Sequence, residues 1–223
     1  MSTAKLLLLN GSPRKKGTSY SFSRTIKKLV EDAGSIAEII HLIDYFDGKA
    51  KFDTLKDSLL KSDVIALVSP LYSDTLPYFN IWMLEKLVSE CKDDLKGKNF
   101  FAVGQCGFPD ITRIEPLLDA GRFFAEDMGM KWLGGLAYGG GAMINGTLLE
   151  DLGERGKRIT SGFEMAVQNI LRGERISPKS QETITLKIPR TLYWPLIVYL
   201  NTKIKKLAKE NGNVDYGRKV YLE

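Results

Sequence analysis

The stretch best equipped for chemistry runs Asn10-Gly11-Ser12-Pro13-Arg14-Lys15-Lys16-Gly17-Thr18-Ser19-Tyr20. It joins an apolar run to a helix-period segment, so it is expected to close on a helix N-terminus. Backbone N–H groups without intrahelical partners gather there, and the helix dipole favours an anion. Ser12, Thr18 and Ser19 add hydroxyl donors, and Arg14 adds charge. Phosphate binding suits this composition. The plainer alternative is a Ser/Thr cluster that only caps the helix. A Walker A loop reads G-x-x-x-x-G-K-[ST], whereas five residues separate Gly11 from Gly17 and Thr18 stands where the lysine should be. The pattern G-x-G-x-x-G is absent, and the loop holds no cysteine to serve a phosphatase.

Two further loops carry suitable residues. Ser69-Pro70-Leu71-Tyr72-Ser73-Asp74-Thr75-Leu76-Pro77 leaves an apolar run and enters a helix expected to start at Pro77. Leu71 and Tyr72 can wall a planar ligand, and the backbone of 70–73 can bond its rim. Alone, this loop reads equally well as an ordinary strand–helix turn. Gln105-Cys106-Gly107-Phe108-Pro109-Asp110 has a glycine that permits close backbone approach. Cys106 reads as a packing or ligand-contacting residue rather than a nucleophile. The single histidine, His41, falls in the second apolar run, away from these loops, and reads as structural.

The elements that must position these loops follow from periodicity. Apolar runs recur at 4–9, 36–43, 64–69, 100–104 and 131–137. Most lack polar alternation, as strands do when both faces of a parallel sheet are covered. Between them lie one-face helical patterns: Phe22, Ile26, Leu29, Val30 and Ala33; Leu55, Leu59 and Leu60; Ile114, Leu117, Leu118, Phe124 and Met128; Ile159, Phe163, Ala166, Val167 and Ile170. Five strand–helix repeats predict an α/β doubly wound, five-stranded parallel sheet of order 2-1-3-4-5, with ligands at the carboxyl ends near strands one and three. Beyond residue 173 the rhythm breaks. A short strand is expected at 184–188, Pro189 and Pro195 flank a Tyr/Trp-rich piece, and 197–211 reads as a basic helix closed by Gly212. The expected division is a domain at 1–172 and a C-terminal tail at 173–223.

Together, the first two loops resemble the GSPR…GNT-type and TPVY-type loops of the NADPH-dependent FMN reductase family, within the flavodoxin-like superfamily. The resemblance spans residues 4–172 at fold level. It implies that Ser12, Thr18, Ser19 and Tyr20 hold the FMN phosphate, with Arg14 and Gly17 of the same loop also expected to be cofactor-binding, and that Pro70, Leu71, Tyr72, Ser73, Cys106, Gly107 and Phe108 line the isoalloxazine. Tyr20 departs from the family by standing where a small residue is frequent. The CGFP loop and the Asp215-Tyr216-Gly217-Arg218 ending resemble a clostridial-type branch. The cysteine cluster of iron–sulfur relatives is missing. The implied activity is electron transfer from diffusible NAD(P)H to a quinone, nitro, azo or flavin acceptor, with no catalytic acid or base. A flavodoxin-like electron carrier and an apo interaction domain are the alternatives.

Bulk properties agree with this reading. The chain has 223 residues, is 43% hydrophobic and carries a formal charge of +5 that is scattered apart from Arg14–Lys16 and Lys203, Lys205, Lys206 and Lys209. That distribution favours no nucleic-acid partner. The two cysteines, Cys91 and Cys106, make no CxxC pair, so no disulfide framework or zinc site is expected. No apolar run reaches the roughly 20 residues of a membrane span, and a cytoplasmic setting is expected. The helix after Pro77 is apolar nearly all round, which predicts a homodimer. The apolar 192–200 segment is expected to dock on the domain or on a second subunit, in preference to lying on an anionic membrane.

Overall fold

The computed structural model describes residues 3–187 and 190–212. The chain divides into two units, 1–186 and 187–223. Residues 173–186, assigned to the tail from sequence, thus group with the sheet.

In the first unit, β1 (Lys5–Asn10), β2 (Ile36–His41), β3 (Val64–Pro70), β4 (Asn99–Cys106) and β5 (Lys131–Gly139) form one parallel sheet in the order β2-β1-β3-β4-β5. This is the doubly wound order the repeat predicts. The strand period explains the leucine run of β1. Alternate side chains face opposite ways, so Leu7 and Leu9 enter one apolar layer while Leu6 and Leu8 enter the other. The first layer is roofed by α3 (Phe52–Lys61), α4 (Tyr78–Leu95) and α5 (Glu115–Asp127), through Leu55, Leu59, Met83, Leu87, Leu117 and Phe124. The second is roofed by α1 (Thr18–Asp32), α6 (Gly153–Leu171) and α7 (Pro178–Ile184), through Phe22, Ile26, Ile159, Phe163 and Ile184.

Three boundaries differ from expectation. The second strand stops at His41, and Leu42–Phe46 form a short helix, α2. Leu42 and Ile43 extend the apolar run but belong to that helix. Helix α4 begins at Tyr78 with Pro77 as its N-cap residue. Most importantly, no strand forms over 184–187: Ile184 ends a helix, α7, and 185–187 are irregular. Ser177 caps that helix by accepting from the Ser180 N–H, and Pro178 stands in its first turn. Gln181 then pairs with both backbone groups of Ala137 on β5, at 2.8 and 2.9 Å. A side-chain amide thus serves the edge strand in place of a sixth strand. Ile188 and Pro189 lie outside the described residues.

The second unit contains α8 (Tyr193–Glu210), which begins earlier than the basic stretch suggests. Pro195 is its third residue, where its missing N–H costs no helical bond. Gly212, with φ of 77°, follows the helix end. Trp194, Ile197, Tyr199, Ile204 and Leu207 are exposed. Among the described residues no helix is long and apolar enough to cross a membrane. Asp215, Tyr216, Gly217 and Arg218 lie outside the described residues.

Candidate functional site

The β1–α1 loop leaves the sheet next to β3, to which Gly11 N–H still bonds through Val68 O at 2.9 Å. Ser12 Oγ accepts from Arg14 N–H at 3.2 Å, and Gly17 N–H donates to Arg14 O at 3.2 Å. The loop therefore folds into successive tight turns that end on Gly17. That residue makes no side-chain cap for α1. The first-turn N–H groups of α1 are thus free of a capping side chain, which suits an anion.

The β3–α4 loop makes its own turn. Tyr72 and Thr75 exchange both backbone bonds, at 2.9 and 3.1 Å. Ser73 and Asp74 between them have φ of 48° and 60°. Two successive left-handed residues are the requirement of a primed hairpin turn. Non-glycine residues hold this conformation at a cost, and the result is an exposed Tyr72 at the mouth of the site.

The β4–α5 loop is held by sulfur. Cys106 Sγ donates to Phe108 O at 3.1 Å, and Gly140 N–H donates to the same carbonyl at 2.7 Å. Burial pushes the Cys106 thiol above its ordinary pKa. A protonated, carbonyl-bonded thiol is a poor nucleophile, in line with its reading as a contact residue. Phe108 is exposed, with Arg113 over its ring at 5.8 Å.

These loops converge. A cleft of about 130 Å³ at the carboxyl edge is lined by Ser12, Arg14, Thr18, Pro70, Leu71, Tyr72, Gln105, Cys106, Gly107, Gly141 and Ala142. Eight of the residues singled out from sequence are in that lining. Gly17, Ser19, Tyr20, Ser73 and Phe108 are not. Ser19 is fully buried and its hydroxyl lies 3.4 Å from Gln105 Nε2, beneath the cleft. Tyr20 packs on His41, ring centroids 5.5 Å apart. His41 itself ends β2 in register with Asn10, at the foot of the first loop.

The cleft has a fourth wall that sequence reasoning missed, the segment after β5. Thr18 Oγ1 donates to Gly141 O at 2.8 Å, Ser21 Oγ to Thr147 O at 2.7 Å, and Arg14 Nη1 to Asn145 Oδ1 at 3.3 Å. Gly141 lets the Gln105 amide lie against this backbone, since a Cβ there would force Gln105 Oε1 to move. The Thr18 hydroxyl thus serves the cleft wall. The glycine run Gly139-Gly140-Gly141 was the available signal for this wall.

Other concavities lack such convergence. A groove of about 430 Å³ along the second half of α1 mixes Lys27 and Lys28 with Glu31, Asp32 and Glu150. Among the described residues no group of His, Cys, Asp and Glu can hold a metal.

The model of the NADPH-dependent FMN reductase family matches residues 4–104, the span from β1 into β4. The resemblance carried by the loops is thereby found over the whole switch region. No curated protein matches the chain. Several solved structures share the fold. A flavone reductase is 14% identical with a TM-score of 0.58, over 77% of this chain and 65% of that one. RosB, solved with bound 8-demethyl-8-formylriboflavin-5'-phosphate, is 16% identical with a TM-score of 0.60, over 82% of each chain. General stress protein 14 of Treponema denticola, solved with FMN, is 15% identical with a TM-score of 0.53, over 74% of this chain and 99% of that one. The chain spans 65% of the flavone reductase's length, and at 14–16% identity these likenesses concern fold alone.

Proposed function

We propose, on a chain whose switch region matches the NADPH-dependent FMN reductases, that this protein is an FMN-dependent oxidoreductase. It would pass electrons from NAD(P)H to a small acceptor of the quinone, nitro, azo or flavin type. The observation that carries this reading is the convergence of three loops and an uncapped helix N-terminus on one cleft. The residues fit the group. The α1 N-terminus, Ser12 and Arg14 suit a phosphate, and Pro70, Leu71, Tyr72, Cys106 and Gly107 form a mixed apolar and backbone wall suited to a flat ring.

Bound FMN would supply hydride and single-electron chemistry. The protein's part is to bind, orient and shield. Arg14 brings charge to the phosphate end, tethered by Asn145. Tyr72, exposed within the cleft lining, would give a donor and then an acceptor a ring to stack on. No side chain at the cleft is assigned as a catalytic acid or base. Cys106 keeps its proton, and the only histidine lies beneath the loop rather than at the mouth.

The deciding experiment is an absorption spectrum of the purified protein, with and without added FMN, followed by anaerobic NADPH and NADH. Stoichiometric flavin bleached rapidly by either nucleotide is the expected result. A colourless protein that refuses FMN overturns the reading. Flavin reduced only by a partner protein supports the electron-carrier alternative.

A further inference from the structure

Asn10 and His41 stand in register at the carboxyl ends of β1 and β2. The Asn10 amide serves two partners there. Its Oδ1 accepts from the Ser12 backbone N–H at 3.2 Å, and its Nδ2 lies 3.0 Å from His41 Nδ1. The first contact decides the second. A backbone N–H can only donate, so the amide oxygen faces Ser12 and the NH2 faces the ring. His41 Nδ1 must then accept, which makes the ring neutral with its proton on Nε2. An imidazolium carries N–H at both nitrogens and would set donor against donor. Turning the amide over would only move that conflict to the Ser12 N–H. Asn10 is fully buried, so water does not absorb the mismatch.

We propose that His41 is a positioning residue for the FMN loop: neutral, it locks the Asn10 amide that holds Ser12, and protonated, it releases the loop. This rests on the FMN reading above. Ser12 lines the cleft, and its Oγ in turn holds Arg14 N–H. The relay therefore runs from the His41 ring, through one amide, to the turn that carries Arg14. Cofactor affinity falls as pH falls through the titration of His41.

The groups around the ring are few. Lys15 comes from the loop and Asp44 from α2, and the two form an ion pair at 2.6 Å. Tyr20 comes from α1 with its ring 5.5 Å away. Burial, and then Lys15, hold His41 below 6.5, and Asp44 acts the other way. The resting ring is thus in the state the relay needs.

The proposal has a sign that simple charge attraction does not share. A nearby phosphate would favour an imidazolium and raise its pKa on binding. The relay makes FMN select the neutral ring, so by linkage FMN lowers that pKa.

The test uses the full chain, whose only histidine is His41, so its ring resonance in NMR is unambiguous. The ring and the Ser12 amide are followed through pH with and without FMN, and FMN affinity is measured by fluorescence quenching. Expected in the free protein is a Ser12 amide that titrates with the midpoint of the ring. Expected with FMN is a lower ring midpoint. His41→Phe, which lacks the acceptor, should bind FMN about tenfold more weakly at neutral pH. His41→Gln should restore binding through its side-chain oxygen, and keep only the pH dependence of the phosphate's own ionisation near about 6.

A ring midpoint that rises with FMN, a Ser12 amide indifferent to the ring, or an unchanged pH profile in His41→Gln each overturns the proposal. If FMN binds at no pH, the cofactor reading fails instead. The Ser12 titration in the free protein still decides the relay.

Discussion

Asn80, on the first turn of α4, donates through Nδ2 to Gly11 O at 2.9 Å and to Ser69 Oγ at 2.8 Å. One buried amide therefore ties the β1–α1 loop to the end of β3. Gly11 admits it, since a Cβ there would collide with Nδ2. The cost is a buried Oδ1 without a partner. Asn80→Ala should strand Gly11 O, leave Ser69 Oγ only its bond to Pro70 O, and lower stability by about 1–3 kcal/mol. Urea denaturation measures this, and a change under about 0.5 kcal/mol would count against the tie. FMN affinity should fall as well, because both loops line the cleft.

Thr18 and Ser19 act through the walls of the cleft. Thr18 holds Gly141 O, and Ser19 meets Gln105. The double variant Thr18→Ala, Ser19→Ala should weaken FMN binding, by about 0.5–1.5 kcal/mol per lost neutral bond. Direct contact of these hydroxyls with phosphate would raise that to about 1.5–3 kcal/mol each. Titration calorimetry separates the two cases, and unchanged affinity removes both residues from the site.

Both cysteines are buried, and burial raises both thiols. Neither should react with a disulfide reagent in the native protein at about pH 7.5, while both should react in urea. Fast native labelling of Cys106 would reopen a thiol role at the cleft.

Stability should depend on pH through His41. The folded state holds this ring below its ordinary 6.5. A depressed pKa means that the unfolded chain takes up the proton first, so stability rises with pH through this window. The contribution is complete above about 6.5 and is lost as pH falls through the folded pKa. His41→Gln should flatten the urea midpoint between about pH 5 and 7. An equally steep profile in the variant would assign the slope to other groups.

Tyr78 and Trp82 project from α4, and Phe46 of α2 packs edge-on to both, with centroids at 5.0 and 5.3 Å. Tyr78 is 66% exposed, an unusual setting for an aromatic cluster of this size. A homodimer closing on this face should be seen by light scattering at micromolar concentration, and Trp82→Glu should give monomers. A monomeric parent protein refutes this.

The local code was legible where one residue's period or loop chemistry sufficed. Leu6 to Leu9 read as a strand covered on both faces, and the sheet order followed from the five-fold repeat. The Ser69–Pro77 and Gln105–Asp110 loops read as site walls only together with the first loop: Tyr72 offers a ring and Gly107 a bare backbone, and neither is decisive alone. Three matters were settled only by the folded chain. The segment after β5 closes the cleft through backbone carbonyls, Gly141 O and Thr147 O, and a carbonyl leaves no mark on residue identity. Ile184 reads as the start of a short strand, yet it ends α7, where it packs against Gly162 of α6. His41 read as remote because sequence distance hid the register of β1 with β2. That register pairs Lys5–Asn10 with Ile36–His41 residue by residue, and the buried Ala37 and Ile40 of β2 hold it against a slip. It alone sets the ring beside Asn10, at the start of the loop.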